Sequence, residues 1–292
     1  MILGHEFAGR VAAVGRGVDG VPVGAQVTCS IVVSCQRCRA CLSGREQLCE
    51  NLVLFGYELD GGLAEYLLVP KVAMDHGNLV VLEKEIPATT LALAEPVSCC
   101  LNGAGQVAVA PGESVVVLGT GPIGLLHIAL AKLAGATTIL AAGREGRLTA
   151  ATDFGATCAV ALTGEALTAE VRERTNGRGA DVVIVAVGDL SLANQALELA
   201  AIGGRVNYFA GFPKGRTASI DPNLIHYREL AVTGGSNARR ADVRRAVELL
   251  SSGALDVGRL VTHRFPLAEL DAAVTAVARR DGLKVAVMPA AG

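Results

Sequence analysis

The chain has 292 residues, of which 51% are hydrophobic and 18% are charged. This composition can form a large buried core and excludes general disorder, and the length allows one large domain or two ordinary ones. The 26 basic and 28 acidic side chains give a net charge of −2, and aromatic residues make up only 3%. We therefore expect no nucleic-acid partner, because such a partner needs positive charge and stacking surfaces.

We also expect no membrane segment. The N-terminus lacks the basic and apolar regions of a signal peptide. The uncharged stretch at residues 114–131 is long enough to span a bilayer, but its glycines and Pro122 favour a strand, a turn and a helix. A cytoplasmic location is the default expectation.

Short apolar segments separated by glycines characterise residues 1–28 and 51–104, a pattern typical of short antiparallel strands. The turn sequence Asp60-Gly61-Gly62 precedes a strand predicted over residues 63–69. Between these regions, residues 29–50 contain five of the eight cysteines.

From about residue 105 the pattern changes to alternating strands and helices. The strands are solidly apolar, which is typical of a parallel sheet covered on both faces. Strands are predicted at 114–118, 137–142, 158–162, 181–188 and 205–211, with two more in the tail at 260–267 and 284–289. Helices are predicted at 125–135, 147–156, 167–177, 191–204 and 241–252.

The cysteine-rich segment has the spacing C-x2-C-x2-C-x7-C, formed by Cys35, Cys38, Cys41 and Cys49. Four thiolates within so short a segment can surround one tetrahedral zinc ion, and a closed shell of four sulfurs makes that zinc structural. Two disulfides and an iron–sulfur cluster are the alternatives. A reducing compartment disfavours the first, and the long last gap followed by Glu50 differs from the ferredoxin pattern.

A second motif, Gly119-Thr120-Gly121-Pro122-Ile123-Gly124, follows a predicted strand and opens a helix. In this context the glycines allow a tight turn and close approach to a pyrophosphate, while the helix N-terminus supplies donors. The motif therefore predicts a dinucleotide site, with a ligand-free glycine turn as the alternative.

The end of the next strand bears on the choice between NAD and NADP. An acidic residue there would accept a hydrogen bond from the adenosine ribose, but the sequence has Ala142-Gly143 followed by Arg144 and Arg147. Guanidinium groups suit a 2′-phosphate, which favours NADP. Alternatively, both arginines are solvated residues of a helix start, and Glu145 accepts from the ribose hydroxyl.

The pairs His5-Glu6 and Glu95-Pro96 carry little information alone. Together with the cysteine segment, the sequences GHEFAGRVAAVG, DGGLAEY, AEPVSCCLNG and GTGPIG resemble the zinc-containing medium-chain dehydrogenases, in particular the sorbitol (polyol) and threonine dehydrogenase branch. The resemblance implies a mainly β GroES-like catalytic domain at 1–104 and 258–292, with the zinc lobe at 29–50. A Rossmann domain at 105–257 interrupts it, and a catalytic zinc lies in the cleft between them.

The resemblance also assigns roles to residues. His5 is similar to a catalytic-zinc ligand, Glu6 to its exchangeable acidic neighbour, and Glu95 to the carboxylate ligand of the polyol branch. Cys99 and Cys100 are expected to be packed thiols, although either could reach the metal. The remaining cofactor contacts implied by the family are Ile123, Arg147, Ala210, Gly211, Phe212, Gly235 and Ser236.

The implied activity is oxidation of a secondary alcohol to a ketone, or the reverse. Zinc acts as a Lewis acid on the substrate, NAD or NADP carries the hydride, and the enzyme is a dimer or tetramer. Related chains carry several dozen residues before the Gly-His-Glu sequence, including a first zinc cysteine, whereas here Met1 stands three residues before Gly4. The alternative function is therefore a catalytically impaired nucleotide-binding protein with a structural zinc. A zinc-free quinone reductase is disfavoured by the cysteine segment and Glu95.

Overall fold

A computed structural model describes residues 1–289. The chain divides into two compact units, Met1–Cys99 with the residues from Asn237 onward, and Cys100–Ser236. Among the described residues, no helix combines the length and apolar character needed to cross a membrane.

The strands have the following bounds: β1 Ala8–Arg10, β2 Gln26–Cys29, β3 Val32–Val33, β4 Val53–Leu54, β5 Leu79–Val81, β6 Ser114–Leu118, β7 Thr138–Ala142, β8 Cys158–Val160, β9 Ala180–Val185, β10 Ala200–Tyr208, β11 Ala231–Gly234, β12 Val261–Pro266 and β13 Lys284–Met288.

The α-helices have the following bounds: α1 Arg39–Leu42, α2 Lys71–Asp75, α3 Ala88–Leu91, α4 Ala94–Val107, α5 Pro122–Leu133, α6 Leu148–Phe154, α7 Gly164–Arg174, α8 Leu192–Leu199, α9 Pro222–Arg228, α10 Arg240–Ser251 and α11 Leu270–Arg279. Short 3-10 turns lie at Glu46–Leu48, Glu145–Arg147, Gly258–Leu260 and Leu267–Glu269.

The first unit is built from small sheets. An antiparallel sheet has the order β1-β2-β5, β3 pairs with β4, and β12 pairs with β13 in parallel. Its core surrounds the fully buried Phe55, which meets the Phe7 ring edge-on at 5.8 Å between centroids. Cys29 of β2 and both residues of β3 are buried in this core, whereas the residues of β1, β4 and β5 are at most partly buried.

The strand predicted over residues 63–69 does not form. Leu67 and Val69 pack against the core, whereas Tyr66 and Leu68 are exposed, so the alternating pattern is present. Within residues 1–289 the segment has no strand partner, and its backbone runs through bends and extended turns. The alternating apolar pattern therefore predicts correctly which side chains are buried. A strand also needs a neighbouring strand for its backbone hydrogen bonds, and the pattern does not indicate one.

The second unit contains a six-stranded parallel sheet with the order β11-β10-β9-β6-β7-β8. Every residue of β6 is buried, as expected for a central strand covered on both faces. Strand order reverses beside β6, because β7 continues on one side and β9 on the other. This is the doubly wound arrangement in which ligands bind at the carboxyl ends of the strands. The predicted fold class, a Rossmann sheet together with a GroES-like β domain, is confirmed.

The predicted helix over residues 191–204 is too long. Helix α8 ends at Leu199 and β10 begins at Ala200, with an irregular register before Arg205. Gly203, at φ +72°, lies in this irregularity and not at the end of a helix. A glycine that permits a strand bulge and a glycine that caps a helix look alike in sequence.

Residues 237–257 belong by their contacts to the first unit, although the sequence analysis assigned them to the Rossmann domain. The reason is visible at the start of α10. Arg240 forms an ion pair with Glu46, and Arg244 donates a hydrogen bond to the Gly77 carbonyl at 3.0 Å. The first contact joins α10 to the cysteine-rich segment, and the second joins it to the loop after α2.

Candidate metal and nucleotide sites

The four cysteines of the C-x2-C-x2-C-x7-C segment converge. Their Sγ atoms all lie within 4.8 Å of one another, with 3.5 Å between Cys38 and Cys41 and 3.9 Å between Cys38 and Cys49. These distances exclude disulfides, whose sulfurs are about 2.05 Å apart. Four sulfurs at about 2.3 Å from one zinc ion would be about 3.8 Å apart, so the cluster fits a tetrahedral zinc.

Backbone donors and burial set the protonation of these thiols. The amide N–H groups of Arg37 and Cys38 lower the pKa of the Cys35 thiol to about 6. Burial raises the pKa of the Cys41 thiol to about 11, opposite in direction to the lowering that backbone hydrogen bonds cause at Cys35. All four sulfurs would bind a metal as thiolates, so metal binding would release protons from these groups.

The cysteine segment is fixed to α10 by one ion pair. Both side chains, Glu46 and Arg240, are about five-sixths buried, and the Arg240 amide also donates to Glu46 Oε1 at 2.7 Å. Arg240 in addition donates to the Ser34 hydroxyl at 3.3 Å, one residue before Cys35. Through Arg240, both ends of the cysteine segment are therefore connected to α10, which comes much later in the chain.

A second cluster is formed by His5, Glu6 and Glu95. One ligand atom from each lies within 4.8 Å of the other two, and all three side chains are partly buried. Two carboxylates and one imidazole are oxygen and nitrogen donors that zinc accepts in catalytic sites. The structure thus brings together the three residues that the family resemblance assigned to the catalytic metal.

Glycines in the Asp60-Gly61-Gly62 turn position the segment that carries His5 and Glu6. The Gly61 amide donates to the Ile2 carbonyl at 2.8 Å and the Gly62 amide donates to the Gly4 carbonyl at 2.7 Å. A Cβ at Gly61 would lie 2.2 Å from the Gly4 oxygen, so only glycine allows this approach. The turn signal in the sequence therefore marks close backbone packing beside the metal cluster.

Lys284, at the start of β13, pairs with both carboxylate oxygens of Glu6. Lys284 has no distinguishing signal in the sequence, because a lysine before an apolar strand is common and its partner is near the other end of the chain. The cluster therefore holds two carboxylates beside one lysine, and such an excess of acidic groups suits a bound cation.

The Glu95 carboxyl group has little contact with water. Desolvation and the neighbouring negative charge of Glu6 raise its pKa to about 7. The Cys99 thiol, one helical turn away in α4, lies 3.3 Å from Glu95 Oε1 and donates a hydrogen bond to it. Cys100 faces differently, since it is fully buried with its sulfur 3.9 Å from the Ile123 carbonyl.

The glycine motif of the second unit joins β6 to α5. Gly119 has φ +107°, and a Cβ at Gly124 would lie 1.8 Å from the Gly119 carbonyl oxygen, so both positions require glycine. Gly121 caps the helix and Pro122 opens it, while a Cβ at Gly121 would meet no atom of the described part of the chain within 4 Å. The open space at the N-terminus of this helix fits the pyrophosphate of a dinucleotide.

The end of β7 and the start of the following loop leave little space for a side chain. Ala142 is buried, and a Cβ at Gly143 would lie 2.1 Å from the Thr120 hydroxyl oxygen. Arg144 is exposed and Arg147 is partly buried at the start of the next helical turn. Thr120, the second residue of the glycine motif, occupies the space beside Gly143, a packing role that the motif alone does not indicate.

The remaining predicted cofactor residues follow β10 and β11, at the same edge of the sheet. The Ala210 amide donates to the Val185 carbonyl at 2.9 Å, and a Cβ at Gly188 would lie 2.2 Å from the Gly211 oxygen. Phe212 packs near Tyr208, with 6.0 Å between ring centroids. Gly235 and Ser236 follow β11, where the Asn102 side chain donates to the Ser236 carbonyl at 3.3 Å.

Two family models match separate parts of the chain. The family model described as the alcohol dehydrogenase GroES-like domain matches residues 1–77, and the one described as zinc-binding dehydrogenase matches residues 122–252. The L-threonine 3-dehydrogenase of Caldanaerobacter subterraneus subsp. tengcongensis is 33% identical over 98% of this chain and 82% of its own length. The chain belongs to the zinc-containing medium-chain dehydrogenase family.

Two further relatives are similar to nearly the whole of this chain. The sorbitol dehydrogenase of Halalkalibacterium halodurans is 31% identical over 98% of this chain and 83% of its own length. A zinc-binding dehydrogenase from Sinorhizobium meliloti 1021, with a crystal structure bound to NADP, is 35% identical with a TM-score of 0.91, covering 98% of this chain and 83% of that one.

The family resemblance predicted from sequence is thereby confirmed. The chain is a zinc- and NAD(P)-dependent oxidoreductase of the alcohol dehydrogenase type. The alternative of a catalytically impaired protein is not favoured, because the relatives are named dehydrogenases.

Proposed function

We propose that the protein oxidises a secondary alcohol whose neighbouring carbon carries a hydroxyl or amino group, using NADP in preference to NAD. The observation that carries the proposal is the convergence of His5, Glu6 and Glu95 within 4.8 Å in a dehydrogenase of the threonine and polyol branch. Threonine and sorbitol, named in the relatives, share this vicinal arrangement.

His5 and Glu95 are the residues that hold the catalytic zinc in this proposal. Glu6 is the exchangeable carboxylate, because Lys284 already satisfies both of its oxygens. When bound, zinc supplies a Lewis acid for the alcohol oxygen, and the nicotinamide ring accepts the hydride. The chain itself places two carboxylates beside one imidazole. The two carboxylates differ in how readily they can bind a metal, because Lys284 pairs with Glu6.

The cofactor residues in this proposal are Gly119, Gly121, Pro122, Ile123 and Gly124 around the pyrophosphate. Further contacts at the later strand ends would come from Ala210, Gly211, Phe212, Gly235 and Ser236, and the adenosine ribose would be held by Arg144 and Arg147. The preference for NADP is supported by the buried Ala142, the steric exclusion of any side chain at Gly143, and the exposed Arg144.

Turnover with defined alcohols tests the substrate class. We expect oxidation of L-threonine or sorbitol with NADP, and much slower oxidation of 2-butanol, which lacks a neighbouring heteroatom. Metal analysis should find two zinc ions per chain, one lost in Cys38→Ser and the other in His5→Ala. Faster turnover of 2-butanol than of every vicinal substrate would contradict the substrate class, and a single zinc lost only in Cys38→Ser would contradict the site.

We also propose a cytoplasmic location and a homo-oligomeric state. All eight cysteines are free of disulfides, which is typical of a reducing compartment. Strand β11 pairs only with β10 within the described residues, and its outer edge offers backbone groups to a second copy. Light scattering coupled to size-exclusion chromatography tests the assembly, with a monomeric mass as the contrary result.

A further inference from the structure

Cys99 lies four residues after Glu95 in α4, and its sulfur is 3.3 Å from Glu95 Oε1. Residues at i and i+4 share one face of a helix, so the thiol and the carboxylate are directed to the same side. Each further residue turns by about 100°, which sends Cys100 elsewhere and leaves Cys99 as the cysteine beside the metal cluster.

The direction of this hydrogen bond follows from the chemistry of the two groups. A thiol has one weak donor, whereas an ionised carboxylate only accepts and has about four lone-pair sites on its two oxygens. A bond from Cys99 to Oε1 therefore leaves acceptor capacity for a cation. The Cys99 thiol donates to Glu95, while Lys284 acts on Glu95 through charge.

Glu95 needs such a partner more than Glu6 does. Lys284 grips both oxygens of Glu6 and fixes that carboxylate from the β13 side. Without an equivalent, the Glu95 carboxylate could rotate about its terminal bond, which is a broad torsion. The thiol contact at 3.3 Å restrains that rotation.

We propose that Cys99 is a positioning residue: its thiol donates to Glu95 Oε1 and holds the carboxylate in the orientation that closes the metal site with His5. The inference rests on the proposed function of this site. Groups that orient a metal-ligating side chain change metal affinity when they are removed, by about 10–100-fold.

The test compares Cys99→Val, which keeps the bulk and removes the donor, with Cys99→Ser, which keeps a donor. The probe is zinc itself, titrated into the full chain against a chromophoric chelator, so that the second zinc is resolved from the cysteine-bound one. Cobalt(II) at the same site gives a d–d absorption spectrum that reports ligand geometry. Cys158→Ala, in β8 of the other unit, controls for the loss of a cysteine.

We expect Cys99→Val to weaken binding of the second zinc by about 10–100-fold and to change the cobalt spectrum. Cys99→Ser should recover most of the affinity, and Cys158→Ala should match the unaltered protein. Equal affinities and spectra for Cys99→Val and the unaltered protein would overturn the proposal. So would a serine variant as weak as the valine variant, because packing would then be the cause.

If Cys99→Val does not fold, Cys99→Ala against Cys99→Ser gives the same comparison. If the unaltered chain binds only the zinc that Cys38→Ser removes, the proposed metal site itself is wrong. That outcome differs from two zinc ions bound with Cys99 indifferent, which would overturn the inference about Cys99 alone.

Discussion

Lys284 holds both oxygens of the Glu6 carboxylate, although 278 residues separate the two in the chain. Their side chains are 22% and 27% exposed, so the pair is only partly screened by water. The pair neutralises the Glu6 carboxylate, whereas Glu95 forms no ion pair within residues 1–289. Lys284, near the other end of the sequence, thus determines how readily Glu6 and Glu95 can each bind a metal.

Replacing Lys284 by methionine should destabilise the zinc-depleted protein by about 2 kcal/mol, since Glu6 and Glu95 would then repel each other without compensation. Added zinc should recover part of this loss, because a divalent cation replaces the missing charge. Chemical denaturation with and without zinc measures both effects.

Two variants control this experiment. Lys284→Arg keeps the charge and should remain near the original stability. Lys71→Met removes a pair in which the side chains are 85% and 53% exposed, and it should change stability by less than about 0.5 kcal/mol. A Lys284→Met protein as stable as the original at every zinc concentration would show that the pair does not govern the site.

Local motifs were predictable and distant partners were not. The strand at residues 114–118 and the glycine turn after it were placed correctly, because apolar runs and left-handed glycines act over a few residues. The pairing of Lys284 with Glu6 had no local signal, since either charge alone is an ordinary surface residue. The same holds for Arg240 and Glu46, 194 residues apart.

The cysteine cluster should retain one zinc through mild chelation. Replacing Cys38 by serine removes a ligand whose sulfur lies 3.5 Å and 3.9 Å from two others, so we expect loss of that zinc and local unfolding of residues 29–50. Metal analysis and limited proteolysis measure the two effects. Iron in place of zinc, or a metal-free protein with two disulfides, would contradict the assignment.

Replacing Arg144 by alanine should weaken NADPH binding by about 10–100-fold, because a charge-assisted hydrogen bond to the 2′-phosphate contributes about 1.5–3 kcal/mol. NADH lacks that phosphate and should bind nearly as before. Fluorescence titration of both cofactors gives the ratio, with Arg172→Ala on α7 as the control. An equal loss for NADH and NADPH, or tighter NADH binding by the unaltered protein, would oppose the assignment.

His127 should make the protein less stable in mild acid. Its ring is fully buried in α5, edge-on to Phe209 at 4.6 Å between centroids, and neither ring nitrogen has a hydrogen-bond partner among the described residues. Burial lowers its pKa from 6.5 to about 3. Between these two values the unfolded chain binds a proton that the folded chain does not, so stability falls as the pH falls. The slope approaches about 1.4 kcal/mol per pH unit.

Replacing His127 by leucine removes both the proton linkage and two unsatisfied buried nitrogens. At pH 7 we expect a gain of about 1–3 kcal/mol in the free energy of unfolding, because the buried polar atoms no longer need to be desolvated. The gain should grow as the pH is lowered from about 6.5 toward 4.

Urea denaturation at several pH values measures this gain, and His226→Gln, at an exposed position, should follow the unaltered protein. The carboxylates and metal ligands titrate alike in both proteins, so the difference between the curves isolates His127. A difference that stays constant with pH, or a leucine variant less stable at pH 7, would mean that the ring is hydrogen-bonded in solution, for example to an internal water.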